Sequence, residues 1–203
     1  MRNNNQGFTV IEVLIGFVII VGLGMIIVGL NLIFAQNQML VWQNYVNVEQ
    51  TNSNVQTLVR ELRTARTGDD GAYILEKAGD QEIIFYSDID FDKKSERVHY
   101  WLNGSSLYKG VTKSIGYPAV YQQTGEKVVL LTDFARNGTN PIFYYYNGDW
   151  PADTQNNPLV YAVRISATKL IRIYLRLNSQ ANQTDRDFIL ESFTQIRMIK
   201  KNL

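Results

Sequence analysis

One acidic residue near the start of the chain stands where an acid is unusual. Glu12 lies at the beginning of a long apolar run, a few residues after the pair Gly7-Phe8. A carboxylate at the centre of a hydrocarbon layer costs at least ~2.5–3.5 kcal/mol, so such residues usually pair with a cation or serve a function. Glu12 is therefore the first candidate functional residue.

A second acidic pattern suggests cation binding. Asp88, Asp90 and Asp92 alternate along the chain, and carboxylate oxygens are the ligands that calcium prefers. An EF-hand loop would need glycine at its sixth position and glutamate at its twelfth, where this chain has Lys93 and His99. We therefore expect a solvated turn between two strands, with a calcium site as the weaker alternative.

The sequence offers little to support catalysis. His99 is the single histidine and lies in a strand-like pattern with Tyr100 and Trp101, without the partner residues that a histidine-based site needs. The chain has no cysteine, which excludes disulfides, thiolate nucleophiles and cysteine zinc sites. Nucleophile-elbow, phosphate-loop and zinc-protease motifs are absent from the sequence. We expect that the protein is not an enzyme and carries no required cofactor.

Two further groups of residues could bind a partner. The aromatic run Phe143–Tyr146 and Trp150 is typical of sheet core and cross-strand pairs, with a binding face for a partner or an exported substrate as the alternative. Arg60, Arg63 and Arg66 accompany Glu61 on a predicted helix, where a solvated face is the favoured interpretation. The formal net charge of +1 gives no general basic field for nucleic acid.

The elements that must position these residues begin with a long helix. No charged or strongly polar side chain occurs from Val13 to Leu30, which is enough to cross a bilayer as a helix. The run is too long for a secretory signal peptide, and no small-residue cleavage pattern follows it. It therefore predicts a membrane-spanning helix.

The same helix is predicted to continue as an amphipathic one. Val41, Val48, Val55 and Leu62 repeat every seven residues, with Tyr45, Leu58, Val59 and Ala65 beside them, as on one helical face. Since charges at the flanking heptad positions are few, packing against the chain's own sheet is favoured over a coiled-coil dimer. We expect one helix from about Phe8 to Arg66, ended by a Gly68 C-cap.

The chain after Gly71 changes to strand-like patterns. The clearest is a hairpin in which Arg97–Leu102 and Leu107–Lys109 flank an Asn103-Gly104 turn. Val160–Ser166 could be strand or loop. The remaining strand candidates are Ile83–Tyr86, Lys127–Phe134, Pro141–Tyr146, Ile171–Leu177 and Phe188–Ile199. The sequence therefore predicts an α+β fold, with the helix packed on an antiparallel sheet of about four to seven strands.

The N-terminal stretch GFTVIEVLI, residues Gly7 to Ile15, resembles the prepilin cleavage and methylation motif of type IV pilins and type II secretion pseudopilins. The match comprises a short polar leader containing Arg2, glycine before the cut, Phe8 after it, Glu12 and an unbroken apolar helix. Four downstream segments resemble minor pilins and the minor pseudopilin J: Asn54–Arg66, Ile84–Asp92, Arg97–Gly110 and Phe188–Asn202.

The resemblance implies how the N-terminus would be processed. A membrane prepilin peptidase would cut between Gly7 and Phe8 and methylate the new amine of Phe8. That cationic amine, on a neighbouring subunit or on the same chain, would then pair with Glu12. The opposite charges would offset each other's desolvation and fix the axial position of the subunit. The alternative is that Glu12 lies at the level of the membrane interface and stays hydrated.

The expected organisation follows from the motif and the periodicity. Residues 1–7 form a cleaved leader, 8–35 the transmembrane half of the helix, 36–67 its amphipathic half, and 68–203 a β-rich domain. The resemblance implies a minor pilin or pseudopilin that initiates or caps a filament. Its partners would be the peptidase, sibling pilins and the membrane, with no nucleic acid. It would sit in the cytoplasmic membrane with its globular domain outside, and later in a pilus or pseudopilus. The alternatives are a pilus-tip adhesin and a DNA-uptake minor pilin.

Overall fold

The computed structural model describes residues 9–178 and 187–199 of the chain. The chain divides into two compact units, Met1–Tyr45 and Val46–Leu203. The first unit contains the N-terminal part of one long helix. The second contains the rest of that helix and the strands.

The long helix, α1, runs from Val10 to Arg63. Nearly every large apolar side chain is exposed between Val10 and Val46. By length and composition, Val10–Met39 could cross a membrane, which agrees with the expectation of one apolar N-terminal helix. Exposed apolar surface on this scale is unfavourable in water, so this part of α1 is suited to an apolar environment.

α1 ends at Arg63, so the predicted extension to Arg66 and the C-cap at Gly68 are wrong. The backbone N–H of Arg66 donates to the carbonyl of Tyr86 at 2.9 Å, and the N–H of Gly68 donates to the carbonyl of Ala72 at 3.0 Å. These bonds to a strand and to a turn replace the helical ones. The sequence pattern could not show this, because the competing acceptor of Arg66 is remote along the chain.

The described residues after α1 form ten strands. They are β1 (Leu75–Ala78), β2 (Glu82–Ser87), β3 (Glu96–Asn103), β4 (Ser106–Thr112), β5 (Ser114–Ile115), β6 (Val120–Tyr121), β7 (Lys127–Thr132), β8 (Phe143–Tyr146), β9 (Leu170–Leu177) and β10 (Phe188–Gln195).

The described strands form two main antiparallel sheets rather than one. The first has the order β1-β2-β3-β4-β7 and the second the order β10-β9-β8, while β5 and β6 pair with each other. The predicted hairpin is confirmed as β3–β4, with Asn103 paired to Ser106 and Gly104 at a φ of +63°. A positive φ is readily adopted by glycine, which suits this tight turn. The ambiguous segment after Val160 is helical: a 3₁₀ turn, Tyr161–Val163, precedes α2, Arg164–Ala167.

A hydrophobic core joins the C-terminal part of α1 to both sheets. The buried residues include Val55, Leu58, Leu62 and Ala65 from the helix region, Phe85, Val98 and Tyr100 from the first sheet, and Phe143, Tyr145, Ile171, Ile173 and Leu175 from the second. The helix therefore packs on its own antiparallel strands, which confirms the α+β layout. Of the predicted stripe, Val41 and Tyr45 are exposed, so the buried face begins only at Val48.

The second sheet is tied to the β1–β2 turn by main-chain acceptors. The carbonyl of Asp80 accepts the N–H of Ile142 at 2.8 Å, and the carbonyl of Gly79 accepts the Tyr145 hydroxyl at 2.9 Å. These bonds fix β8 beside the end of β1.

Candidate functional site

The first turn of α1 holds the acid that the sequence singled out. One carboxylate oxygen of Glu12, Oε2, accepts both the backbone N–H and the hydroxyl of Thr9, each at 2.9 Å. In return, the N–H of Glu12 approaches Thr9 Oγ1 at 3.4 Å. Gly7 and Phe8, the predicted cleavage and methylation residues, lie outside the described residues.

This arrangement is a capping box. The side chain at the N-cap bonds a backbone N–H three residues on, and the acid three residues on bonds the N–H of the N-cap, so two otherwise unpaired donors are satisfied. The Thr-x-x-Glu spacing of Thr9 and Glu12 is the recognised sequence signature of this motif. This spacing is a local signal that predicts the capping box from the sequence, where Glu12 was interpreted only as a charge in an apolar run.

The capping box leaves part of the Glu12 carboxylate available. Oε2 takes both bonds from Thr9, while the described residues give no donor to Oε1. The side chain is exposed, and the positive end of the helix dipole also favours an acid in the first turn. Glu12 can therefore keep its helical role and still accept a cation through its second oxygen.

The aspartate-rich turn is assembled differently from the sequence prediction. Ligand oxygens of Asp88, Asp90 and Glu96 lie within 4.8 Å of one another, so Glu96 takes the place that the alternation gave to Asp92. Oδ1 of Asp92 instead accepts the N–H of Lys94 at 2.8 Å. Because Glu96 begins β3, the pairing of that strand with β2 brings it back beside Asp88. Sequence alternation alone could not show this.

Within this group, Glu96 is the acid whose ionised form is disfavoured by its surroundings. It is only 1% exposed, and burial raises its pKa, although the bond that it accepts from the N–H of Ile89 at 3.0 Å opposes the shift. The charges of Asp90 and Asp92 raise its pKa further. Asp90 is paired with Lys113, which lowers the pKa of Asp90.

His99 has partners that the sequence could not reveal. Its Nδ1 lies 3.2 Å from Oε1 of Glu126, and its Nε2 lies 3.3 Å from Oε1 of Glu82. The ring stacks on Trp101 with 4.2 Å between centroids. Glu126 reaches the ring across Gly110, where an added Cβ would lie 2.1 Å from Glu126 Oε1. These contacts link β2, β3 and the segment before β7 on one face of the first sheet.

The aromatic run is mostly core. Phe143, Tyr145 and Tyr146 are buried, which confirms the favoured interpretation for these three residues. Tyr144 is half-buried and faces the guanidinium of Arg172, whose carbon lies 4.9 Å from the ring centroid.

Trp150 is half-buried and packs against Tyr146, with 4.7 Å between ring centroids. The pair is held at the start of a loop in which Asn147 and Asn157 bond each other twice, at 2.8 and 2.9 Å. This loop is therefore fixed by its own amides.

The cationic helix face agrees with prediction only in part. Arg60 and Arg63 are exposed, as expected for a solvated face. Arg66 lies beyond the end of α1, where its Nε donates to Ser95 Oγ at 2.9 Å. Glu61 is buried rather than solvated, being 7% exposed.

The surroundings of Glu61 explain its burial. Oε2 accepts the hydroxyl of Tyr100 at 2.7 Å, and Oε1 accepts the ammonium of Lys109 at 2.5 Å. Burial, followed by the charge of Glu61, raises the pKa of Tyr100 well above its usual value, so the phenol remains a donor. Tyr100 and Lys109 are directly opposite each other on β3 and β4. The network therefore joins the last turn of α1 to the first sheet.

A comparison with protein-family models and with curated proteins finds no match for this chain.

Proposed function

We propose that this chain is a minor pilin or pseudopilin, a structural subunit that initiates or caps a type IV pilus or a type II secretion pseudopilus. The observation that carries the proposal is α1 itself. Its first part is apolar and exposed. Its last part packs with two antiparallel sheets around a hydrophobic core. A subunit that moves from a membrane into a helical bundle needs this division.

The proposed chemical steps take place at the N-terminal motif. The prepilin peptidase would cut between Gly7 and Phe8 and methylate Phe8, which leaves a cationic amine one residue before Thr9. In the assembled filament, the amine of a neighbouring subunit, or of the same chain, would bind Glu12. Oε1 of Glu12 accepts no hydrogen bond from the described residues, which supports this pairing, because the amine need not displace the two bonds from Thr9 to Oε2. An unpaired charge in the apolar bundle would be unfavourable, so the pair would also set the axial position.

The globular unit would act by contact with sibling pilins rather than by catalysis. The burial of Phe143, Tyr145 and Tyr146 removes most of the Phe143–Tyr146 run from the surface that a tip adhesin could use. That burial supports a priming or capping role over an adhesive one. The N-terminal motif is common to pilus, secretion and DNA-uptake systems, and the genes beside this one would separate them.

The test uses two matched variants of the full chain, expressed with the peptidase and sibling pilins. Glu12→Gln removes the charge but keeps an acceptor that can complete a capping box. Thr9→Val keeps the charge but removes the capping hydroxyl. We expect mass spectrometry to find a methylated Phe8 at the N-terminus of wild type and both variants. We expect Glu12→Gln to enter filaments at least tenfold less, measured by co-purification, and Thr9→Val to enter at close to wild-type levels.

Two results would contradict the proposal. An intact leader beginning at Met1, in cells that process other prepilins, would remove the cleavage step. Equal incorporation of Glu12→Gln and wild type would remove the charge pair and leave Glu12 with its capping role alone.

A further inference from the structure

Two aromatic residues follow the apolar part of α1 and face outward. Trp42 and Tyr45 lie one helical turn apart, with 6.0 Å between their ring centroids. They are 67% and 61% exposed. Among the described residues, the first residue of α1 that packs against the core is Val48, which follows both rings along the chain.

The setting of this pair is that of a membrane interface. The exposed apolar surface of α1 continues to Phe34, and the first consecutive polar residues after it are Gln36, Asn37 and Gln38. Tryptophan and tyrosine are enriched where membrane spans meet the headgroup layer, since each has an apolar ring and a polar group. The pair is thus continuous with the apolar span and has the chemistry of the layer that should follow it.

The helix between Glu12 and Trp42 is longer than the hydrocarbon core of a bilayer is thick. At 1.5 Å per residue, the helix from Glu12 to Trp42 measures about 45 Å. The hydrocarbon core of a bilayer is about 30 Å thick, and the bilayer with both headgroup layers is about 40–45 Å thick. If Trp42 lies in one headgroup layer, Glu12 lies in the other at a small helix tilt.

We infer that Trp42 and Tyr45 bind the headgroup layer on the far side of the membrane and hold Glu12 in the headgroup layer on the near side. The occupant of the exposed Trp42–Tyr45 surface is therefore lipid, at the level of the glycerol and phosphate groups. The inference rests on the membrane insertion of α1 in the proposed function. It adds that the inserted subunit keeps Glu12 hydrated, and that the acid meets an apolar environment only when the subunit moves into a filament.

The test measures the depth of single tryptophans in the full chain. The sequence has three tryptophans, and the substitutions Trp101→Phe and Trp150→Phe leave only Trp42. The chain is reconstituted into phosphatidylcholine–phosphatidylglycerol vesicles whose acyl chains carry bromine either near the headgroup or near the bilayer centre. We expect the shallow bromines to quench Trp42 at least twofold more strongly than the deep ones. A chain that keeps Trp101 and Trp150 but carries Trp42→Tyr supplies the same answer by difference, if the double variant is unstable.

Two further tryptophans report the other levels of the span, each as the single tryptophan of a chain that carries Trp42→Tyr, Trp101→Phe and Trp150→Phe. The tyrosine at position 42 retains an interfacial ring. Ile26→Trp should be quenched more strongly by the deep bromines, as a residue of the mid-span. Ile11→Trp, beside Glu12, should be quenched more strongly by the shallow ones.

The outcomes separate this inference from the proposed function. If Ile26→Trp is quenched deeply but Trp42 is unquenched, or Ile11→Trp is quenched deeply, insertion stands and the inference is overturned. An unquenched Trp42 would then place a partner helix, rather than lipid, over the aromatic pair. If none of the three is quenched and the chain does not float with the vesicles, the membrane step of the proposed function fails, and the inference fails with it.

Discussion

The first and last turns of α1 each contain one glutamate, and the two side chains have opposite environments. Glu12, in the first turn, is exposed, and within the described part of the chain its carboxylate is bonded to its own turn through Thr9. Glu61, in the last turn, is buried and bonded to Tyr100 and Lys109 on two strands. One acid is satisfied locally, whereas the other depends on the whole tertiary fold.

The difference indicates where each part of the helix obtains its stability. The C-terminal part has a core of its own, so changes there should alter the unfolding of the chain. The N-terminal part has exposed apolar side chains and a local cap, so changes there should alter association with a membrane or with other subunits. The same substitution in the two parts should therefore give different measurements.

The largest effect is expected from Leu62→Ala. Leu62 is completely buried in the core, and removing its side chain should leave a cavity and lower the free energy of unfolding by about 4 kcal/mol. Leu23→Ala, in the exposed apolar part of α1, is the matched control and should leave that free energy unchanged. Chemical denaturation of the full chain in detergent measures both. Similar losses for the two variants would contradict the division of α1.

The next effect concerns the buried acid. Lys109→Met leaves the Glu61 carboxylate with the Tyr100 hydroxyl as its one remaining described hydrogen-bond partner, and an uncompensated buried carboxylate should cost about 3 kcal/mol. The exposed Lys113, paired with Asp90, is the control, and Lys113→Met should leave the unfolding midpoint unchanged. Adding Glu61→Met to Lys109→Met should recover part of the loss, because the unpaired charge is then absent. A double variant less stable than Lys109→Met would show that the charge is not the source of the loss.

These contacts also show how far the sequence alone could lead. The burial of Val55 and Leu62 followed from helical periodicity, and the β3–β4 hairpin followed from its turn residues, because both signals are local. The burial of Glu61 could not be predicted, since its partners are 39 and 48 residues away. The separation of the strands into two sheets depends equally on remote pairing, such as that of β8 with β9.

The candidate sites also differ in whether their contacts are local or remote along the chain. The partners of His99 come from β2 and from Glu126, and Glu96 joins Asp88 and Asp90 only through strand pairing. The capping box of Thr9 and Glu12 was within reach of the sequence, because its spacing is the whole signal.

A smaller effect, with a defined pH dependence, is expected from Glu96→Gln. Burial raises the pKa of Glu96 above its usual value of 4.5, so the folded chain binds this proton more tightly than the unfolded one. Wild type therefore loses stability as the pH rises from about 4.5 through the raised pKa. Glutamine cannot ionise, so Glu96→Gln should have the higher unfolding midpoint at pH 7 and the same midpoint below pH 4. A lower midpoint at pH 7 would contradict this assignment.

The same unfolding measurement, repeated with calcium, tests for a metal site at this turn. We expect a solvated turn at Asp88, Asp90 and Asp92, because Lys113 and Arg66 already supply positive charge to Asp90 and Asp88. Millimolar calcium chloride should then leave the midpoint of wild type unchanged at pH 7. A calcium-dependent rise in wild type that is absent in Glu96→Gln would instead show that Asp88, Asp90 and Glu96 bind the ion.

The smallest effect should be confined to the first turn of α1. Thr9→Ala removes the hydroxyl that bonds Glu12 on both sides of the capping box, so the first helical amides should open more often. We expect hydrogen exchange of those amides to rise about fivefold, in line with the usual strength of a cap, while the unfolding midpoint of the core stays constant. Thr64→Ala is the matched control at the other end, where the hydroxyl bonds Arg60 and faces Ser87. Because Thr64 contacts the first sheet, its loss should lower the midpoint as well. If Thr9→Ala also lowered the midpoint, the N-terminal part of α1 would share the stability of the core, and the contrast between its two glutamates would be one of burial alone.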